Sequence, residues 1–131
     1  GIADAAGVAA AKALGAAGVQ AGTAYLLCPE AKTSAVHRAA LSSDAAADTA
    51  ITNLFTGRPA RAIVNRLLRE LGPRDSTLPD FPLPAGALAP LRAGAQGRKL
   101  ADFAPLWCGQ YAGCQAVPAA EVTRSLAAGL H

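Results

Sequence analysis

The stretch Gly18-Val19-Gln20-Ala21-Gly22-Thr23 (GVQAGT, residues 18–23) follows a first glycine motif, GIAD, at residues 1–4. Between the two motifs, the alanine-rich residues 5–14 predict a helix, and Asp4 is placed to cap its N-terminus. Residues 17–23 are too short and too glycine-bounded for a second helix, and they predict a buried strand. A helix that leads into a buried strand, with a glycine turn at each end, indicates an α/β fold.

Composition and charge restrict the class of protein. The chain has 131 residues, the length of one domain, with 52% hydrophobic residues but only 5% aromatic ones. The chain has twelve basic and nine acidic residues, and its arginines are scattered along the sequence. This distribution argues against a nucleic-acid partner. No apolar run approaches the ~18 residues of a membrane span, and no signal-peptide pattern opens the chain. We therefore expect a cytoplasmic protein without a membrane or nucleic-acid partner.

Cysteine and histidine do not form a recognisable metal-binding pattern. None of the three cysteines has the C-x-x-C spacing of zinc or redox sites, and His37 has no second ligand nearby in the sequence. We expect thiols that pack as small hydrophobic groups, and no metal site.

The rest of the chain shows too few strands for a complete parallel sheet. Residues 48–57 predict one strand, residues 60–71 a helix, and the five prolines between residues 72 and 90 an ordered loop. Residues 119–130 predict a closing helix after Pro118. A parallel sheet needs several strands covered on both faces, so we expect this chain to be part of a larger α/β fold.

Five motifs in one order resemble a known family. They are GIADAAGVAAAKALGAAGVQAGTAYLLCPEA, AVHRAAL, FTGRPARAIVNRLLRE, LPDFPL and LWCGQYAG…PAAEVTRSLA. Together they are similar to the C-terminal part of nitronate monooxygenases, formerly called 2-nitropropane dioxygenases. The resemblance implies an α/β fold of the (β/α)8 TIM-barrel type with added helical substrate-domain segments. It also implies bound FMN and the oxidation of alkyl nitronates by dioxygen to a carbonyl compound and nitrite.

The resemblance also implies a division of the chain. Residues 1–28 correspond to the last barrel units, namely the loop after strand 7, helix 7 and strand 8, which form the FMN phosphate site. Residues 29–131 correspond to substrate-domain segments and closing C-terminal helices. We expect the N-terminal half of the barrel to be supplied by a preceding segment of the same chain or by another chain, and a homodimer is possible.

The residues that match the family's FMN-contacting positions are Gly1, Gln20, Ala21, Gly22 and Thr23. Phosphate groups in such barrels commonly bind at the loops after strands 7 and 8. A glycine lets backbone N–H groups approach the phosphate oxygens, and Thr23 adds a hydroxyl donor. The alternative is that these glycines only make tight turns between strands and helices.

Two further positions bear on substrate and catalysis. Phe81 lies where relatives often carry a tyrosine near the substrate pocket, and it cannot donate the hydrogen bond that a phenol gives. An aromatic residue that only packs on the barrel is the alternative. The family's catalytic base is a histidine expected upstream of Gly1, and neither His37 nor His131 matches it. We therefore assign no catalytic residue within this chain.

Three functions are compatible with these motifs. The first is the FMN-dependent oxidation of nitronates or nitroalkanes with dioxygen. The second is an NAD(P)H-dependent reductase of an enoyl thioester or quinone, built on the same flavin barrel. The third is an inactive fragment or a non-enzymatic subunit that docks to a partner barrel.

Overall fold

A computed structural model of the chain describes residues 1–110 and 113–130. The chain divides into two compact units, one formed by Gly1–Ser34 with Gly109–His131 and the other by Ala35–Cys108. Three 3₁₀ turns, at Thr23–Tyr25, Asp44–Ala47 and Ala128–Leu130, supplement the helices and strands. The helices and strands, in chain order, are α1 (Ala5–Ala13), α2 (Ala35–Leu41), β1 (Thr49–Thr52), β2 (Ala60–Ile63), α3 (Arg66–Leu71), α4 (Leu83–Ala87), α5 (Ala89–Gly97) and α6 (Ala119–Ala127).

Helix α1 of the first unit begins as the sequence predicts. Asp4 has an extended backbone, and its carboxylate accepts a hydrogen bond of 2.7 Å from the Gly7 N–H. This bond satisfies one of the N–H groups that a helix leaves without an internal partner. Val8 is fully buried and is the centre of the unit's apolar core. The core of the unit consists of Val8, Ala24, Cys28, Val122 and Leu126.

The closing helix is also confirmed. Pro118 immediately precedes α6, where its fixed φ suits a helix start, and Val122 and Leu126 form the buried face. The 3₁₀ turn that follows lies against α1, so the opening and closing stretches of the chain share one core. Helix α6 thus belongs to the same compact unit as residues 1–34. The expected division at residue 28 concerns the parts of the complete barrel and remains a prediction.

The buried strand predicted over residues 17–23 is wrong in this structure. Gly15 turns the chain with a φ of 91°, and the residues that follow run without a strand partner among residues 1–110 and 113–130. Val19 and Gln20 are exposed. A β-strand is defined by hydrogen bonds to a neighbour, and no described segment pairs with this one. The sequence indicated the right apolar, glycine-bounded segment but could not supply its partner.

The second unit contains a two-stranded antiparallel sheet. Strands β1 and β2 pair in the register Thr49↔Ile63 to Thr52↔Ala60. The helix predicted over residues 60–71 is therefore wrong in its first part, because α3 begins only after Asn65. The Asn65 carboxamide accepts a hydrogen bond from the Leu68 N–H and caps α3. Pairing with β1 outweighs the weak helical pattern of the residues before this cap.

The second unit has its own apolar core beneath the sheet. Phe55 is 2% exposed and meets the Trp107 ring edge-to-face, with 5.5 Å between the ring centroids. Trp107 is therefore a packing residue. The remaining buried members of this core are Leu54, Ala62, Leu67 and Leu68.

The proline-rich stretch is partly helical rather than a continuous loop. Helices α4 and α5 lie at its C-terminal end, each with a proline at its first or second position. Proline fits these positions because the first helical N–H groups have no internal acceptor. Across the described residues, no helix is both long enough and apolar enough to cross a membrane.

The fold class is therefore a mixed α and β structure. The strands of the described residues pair as one two-stranded antiparallel sheet, and these residues do not contain a parallel sheet or a closed barrel. The expected (β/α)8 barrel remains a prediction about the larger fold.

Gly129 offers a direct test of the packing between α1 and the closing turn. A Cβ built on Gly129 would overlap the Ala5 carbonyl oxygen and lie 2.8 Å from the Val8 Cβ. We expect Gly129→Ala to destabilise the protein by about 1–3 kcal/mol, the usual cost of overpacking, measured by urea unfolding.

The matched control is Gly94→Ala in α5, where an added Cβ meets nothing within 4 Å. We expect this change to raise the free energy of unfolding by about 0.5–1 kcal/mol, because alanine loses less conformational entropy in a helix. Equal unfolding midpoints for Gly129→Ala and the parent would contradict the packing of α1 on this turn.

Candidate functional site

The predicted phosphate-binding residues 20–23 have backbone N–H groups that are not used in secondary structure. Among the described residues, the N–H groups of this segment donate hydrogen bonds to no acceptor. Gly22 has a φ of −114°, which is outside the left-handed region, and a Cβ built there would meet nothing within 4 Å. The N–H groups of residues 20–23 therefore have no acceptor among the described residues, and the space beside Gly22 is open.

Thr23 anchors the end of this segment. It begins the 3₁₀ turn Thr23–Tyr25, whose middle residue, Ala24, is buried in the core of the first unit. The Thr23 hydroxyl oxygen accepts a hydrogen bond of 2.8 Å from the Gly109 N–H. Its own hydroxyl proton has no acceptor within the described ranges.

Gly109 brings the two glycine motifs together. A Cβ built on it would lie 3.4 Å from the Thr23 hydroxyl oxygen and 3.8 Å from the Gly1 nitrogen. Gly1 and Thr23 thus lie against the same residue, as their prediction as one site requires. The sequence reasoning missed Gly109, although its neighbours in LWCGQ (residues 106–110) belong to a matching motif. The sequence signal that could have indicated Gly109 was a glycine with no assigned role inside a motif that matches the family.

The charge around this arrangement comes from the backbone. Residues 18–24 and 106–110 contain no lysine or arginine. The Asp4 carboxylate is directed to its own helix and accepts from the Gly7 N–H, as predicted. The Lys12 ammonium donates to the Leu130 carbonyl oxygen. Converging backbone N–H groups can bind an anion without a cationic side chain, since each carries a partial positive charge.

Cavities of the first unit bear on where an anion could bind. One, of about 370 Å³, has Gln20, Ala21, Tyr25 and Leu126 among its lining residues, and its walls are mainly apolar. The second, of about 230 Å³, includes the acidic residues Asp4 and Glu121 in its lining and none of residues 20–23. The acidic cavity is unsuitable for a phosphate because like charges repel. The exposed side of residues 20–23 is the better candidate.

Phe81, the predicted substrate-pocket residue, belongs to the second unit. Its ring is 49% exposed, and the Arg58 guanidinium carbon lies 4.4 Å from the ring centroid. This cation–π contact accounts for the exposed ring without a substrate. A role for Phe81 in the substrate pocket remains a prediction.

His37 lies in a partly buried position, where its ring makes a hydrogen bond to the backbone. Its Nε2 lies 2.9 Å from the Trp107 carbonyl oxygen, which requires the ring to donate from that nitrogen. Burial lowers the pKa of His37, and the hydrogen bond to Trp107 opposes that shift more weakly. The other histidine, His131, lies outside the described residues. Within residues 1–110 and 113–130, no three potential ligands come together to hold a metal ion.

Comparison with known proteins identifies the family of the chain. A sequence model of the nitronate monooxygenase family matches residues 1–129. A nitronate monooxygenase of Pseudomonas aeruginosa is 43% identical over 128 residues, which cover 96% of this chain and 36% of that protein. A probable nitronate monooxygenase of Staphylococcus saprophyticus is 38% identical over 84% of this chain and 31% of its own length.

Solved structures give the same class. Nitroalkane oxidase from Streptomyces ansochromogenes superposes with a TM-score of 0.88 and 38% identity, covering 99% of this chain and 37% of that one. A FabK mutant from Thermotoga maritima superposes with a TM-score of 0.65 and 28% identity, covering 95% of this chain and 37% of that one. The chain is therefore an α/β segment that is similar to part of TIM-barrel-type enzymes.

The chain belongs to the nitronate monooxygenase family, which is a family of oxidoreductases. The resemblance seen in the five motifs is thereby confirmed. The chain spans about a third of the length of the curated relatives that it matches.

Proposed function

We propose that this chain forms the phosphate end of an FMN site in an enzyme that oxidises alkyl nitronates, or nitroalkanes, with dioxygen. The products would be a carbonyl compound and nitrite. The observation that carries the proposal is the meeting of Gly1, Thr23 and Gly109 beside the unpaired N–H groups of residues 20–23. Family membership supports the choice of flavin and of substrate class.

The residues fit a phosphate group in three respects. The N–H groups of Gln20, Ala21, Gly22 and Thr23 supply hydrogen-bond donors without requiring a side-chain cation. The open space at Gly22 allows an anion to approach the backbone closely. The Thr23 hydroxyl has a proton to donate. When bound, FMN supplies the electron acceptance and the reactivity with dioxygen that no side chain of the site has.

The chemistry at the substrate depends on residues outside the described site. We propose that the catalytic base is a histidine upstream of Gly1 and that the flavin ring rests mainly on an N-terminal half of the barrel, in the same chain or another. Within this chain, residues 1–28 would form the last barrel units, and residues 29–131 the substrate-domain segments and closing helices. Phe81 would face the substrate pocket, and the complete enzyme could be a homodimer in the cytoplasm.

The second candidate function is an NAD(P)H-dependent reductase of an enoyl thioester or quinone on the same type of barrel. The superposition on FabK supports this candidate, since the same stretch of fold is common to both neighbours. The higher TM-score and identity of nitroalkane oxidase favour the nitronate reaction.

The reaction is tested with the full-length, FMN-loaded protein under anaerobic conditions. We expect an alkyl nitronate to bleach the flavin absorbance rapidly and NADH to leave it largely unchanged on the same timescale. Stopped-flow absorbance measures both rates. Rapid bleaching by NADH with none by the nitronate would exclude the proposed reaction and favour the reductase. Bleaching by neither, in a protein that retains FMN, would favour a subunit without this activity.

The phosphate site is tested by two substitutions in the full-length protein. We expect Gly22→Val to weaken FMN binding at least tenfold, or about 1.4 kcal/mol, because its side chain fills the space beside the N–H donors. The φ of Gly22 allows valine without strain, so the fold should be unaffected. Thr23→Ala should weaken binding less, about fivefold, because it removes one hydroxyl and keeps every N–H. Flavin fluorescence titration measures both affinities.

Riboflavin, which lacks the phosphate, is the matched ligand control. Its affinity should be unchanged by either substitution, and the melting temperatures of the flavin-free variants should equal that of the parent. Parent-like FMN affinity in Gly22→Val would show that residues 20–23 make only a turn and would exclude this assignment.

A further inference from the structure

The backbone N–H of Gly109 donates a hydrogen bond of 2.8 Å to the Thr23 hydroxyl oxygen. We propose that Gly109 is a positioning residue of the phosphate site, whose hydrogen bond to Thr23 presents the threonine proton to the bound phosphate. This inference rests on the proposed function and extends it to a residue of the LWCGQ motif, 86 positions away in the sequence.

The geometry of the hydroxyl leads to this role. A threonine hydroxyl has one proton and two lone pairs, and its proton normally rotates to suit its surroundings. Here the Gly109 N–H occupies one lone pair at 2.8 Å. The proton must then point away from Gly109. It meets no acceptor among residues 1–110 and 113–130, so a half-buried donor is left for a ligand.

Electrostatics strengthens the arrangement. A hydroxyl that accepts a hydrogen bond becomes a better donor, because linked hydrogen bonds polarise one another. The reverse also holds: a phosphate that accepts the Thr23 proton makes the threonine oxygen a stronger acceptor for the Gly109 N–H. Phosphate binding should therefore strengthen the bond between Gly109 and Thr23 although the phosphate need not touch Gly109.

The positioning of the Thr23 hydroxyl depends on the N–H of Gly109 and not on the absence of a side chain there. The positive-φ glycines of the described residues do not include Gly109, so its backbone suits other residues. A Cβ at this position would lie 3.4 Å from the Thr23 oxygen, which is an ordinary contact distance. Gly109→Ala keeps the N–H and should retain FMN affinity within about threefold.

The test is amide hydrogen exchange of Gly109 in the full-length protein, followed by NMR with and without FMN. Without ligand, we expect Thr23→Ala to speed exchange of the Gly109 amide at least tenfold, while Thr23→Ser, which keeps the hydroxyl, leaves it within about threefold of the parent. Saturating FMN should slow this exchange further in the parent and in Thr23→Ser, and by a clearly smaller factor in Thr23→Ala, where only the general stabilisation by the ligand remains.

Two controls separate this bond from general stabilisation by a ligand. The Ala119 amide, which donates to the Glu30 carboxylate in the same unit, serves as the reference amide. Riboflavin at saturation provides the ring without the phosphate. The proposal expects FMN to slow Gly109 exchange relative to Ala119, and expects riboflavin to slow both equally.

The outcomes distinguish this inference from the proposed function. One outcome is that FMN binds more tightly than riboflavin while the exchange rate of the Gly109 amide is unchanged by Thr23→Ala, or is slowed equally by FMN and riboflavin. In that case the positioning role is wrong and the phosphate site stands. If FMN and riboflavin bind equally, or FMN does not bind, the phosphate assignment fails and the role of Gly109 fails with it.

Discussion

The close contact between α1 and the turn that follows α6 holds the first unit together. At this point the Gly129 backbone lies against Ala5 and Val8, with no room for another carbon atom. The unit depends on such contacts because its core is built largely from small residues, with Val8 and Leu126 as its larger aliphatic members. Small side chains bury little area, so close approach of the helices must compensate.

This packing also fixes the two motifs of the candidate site. Residues 1–4 lead directly into α1, and Ala24, one residue after Thr23, is buried in the same core. A hydrogen bond of 3.0 Å joins the hydroxyls of Tyr25 and Thr123, which ties the 3₁₀ turn to α6. The site is therefore made of exposed loops whose ends are held by buried residues. This is the usual way in which a rigid scaffold supports a binding loop.

The sequence predicted the elements whose signals are local. Asp4 indicated the start of α1, and Pro118 indicated α6, because caps and fixed φ values act within one turn of chain. The failures concern pairing between distant segments. Residues 17–23 have strand-like character without a partner in the described chain, and Ala60–Ile63 became a strand because β1 lies beside it. The hydrogen bond from Gly109 to Thr23 likewise joins two motifs that no periodicity connects.

The central claim is that backbone N–H groups of this chain bind the flavin phosphate, and a crystal structure of the full-length protein with FMN tests it most directly. We predict phosphate oxygens within about 2.7–3.2 Å of N–H groups in residues 20–23 and of the Thr23 hydroxyl, beside Gly1. Cationic side chains of this chain should be absent from that contact shell. A phosphate held elsewhere, or held mainly by lysine or arginine with residues 20–23 facing solvent, would contradict the account.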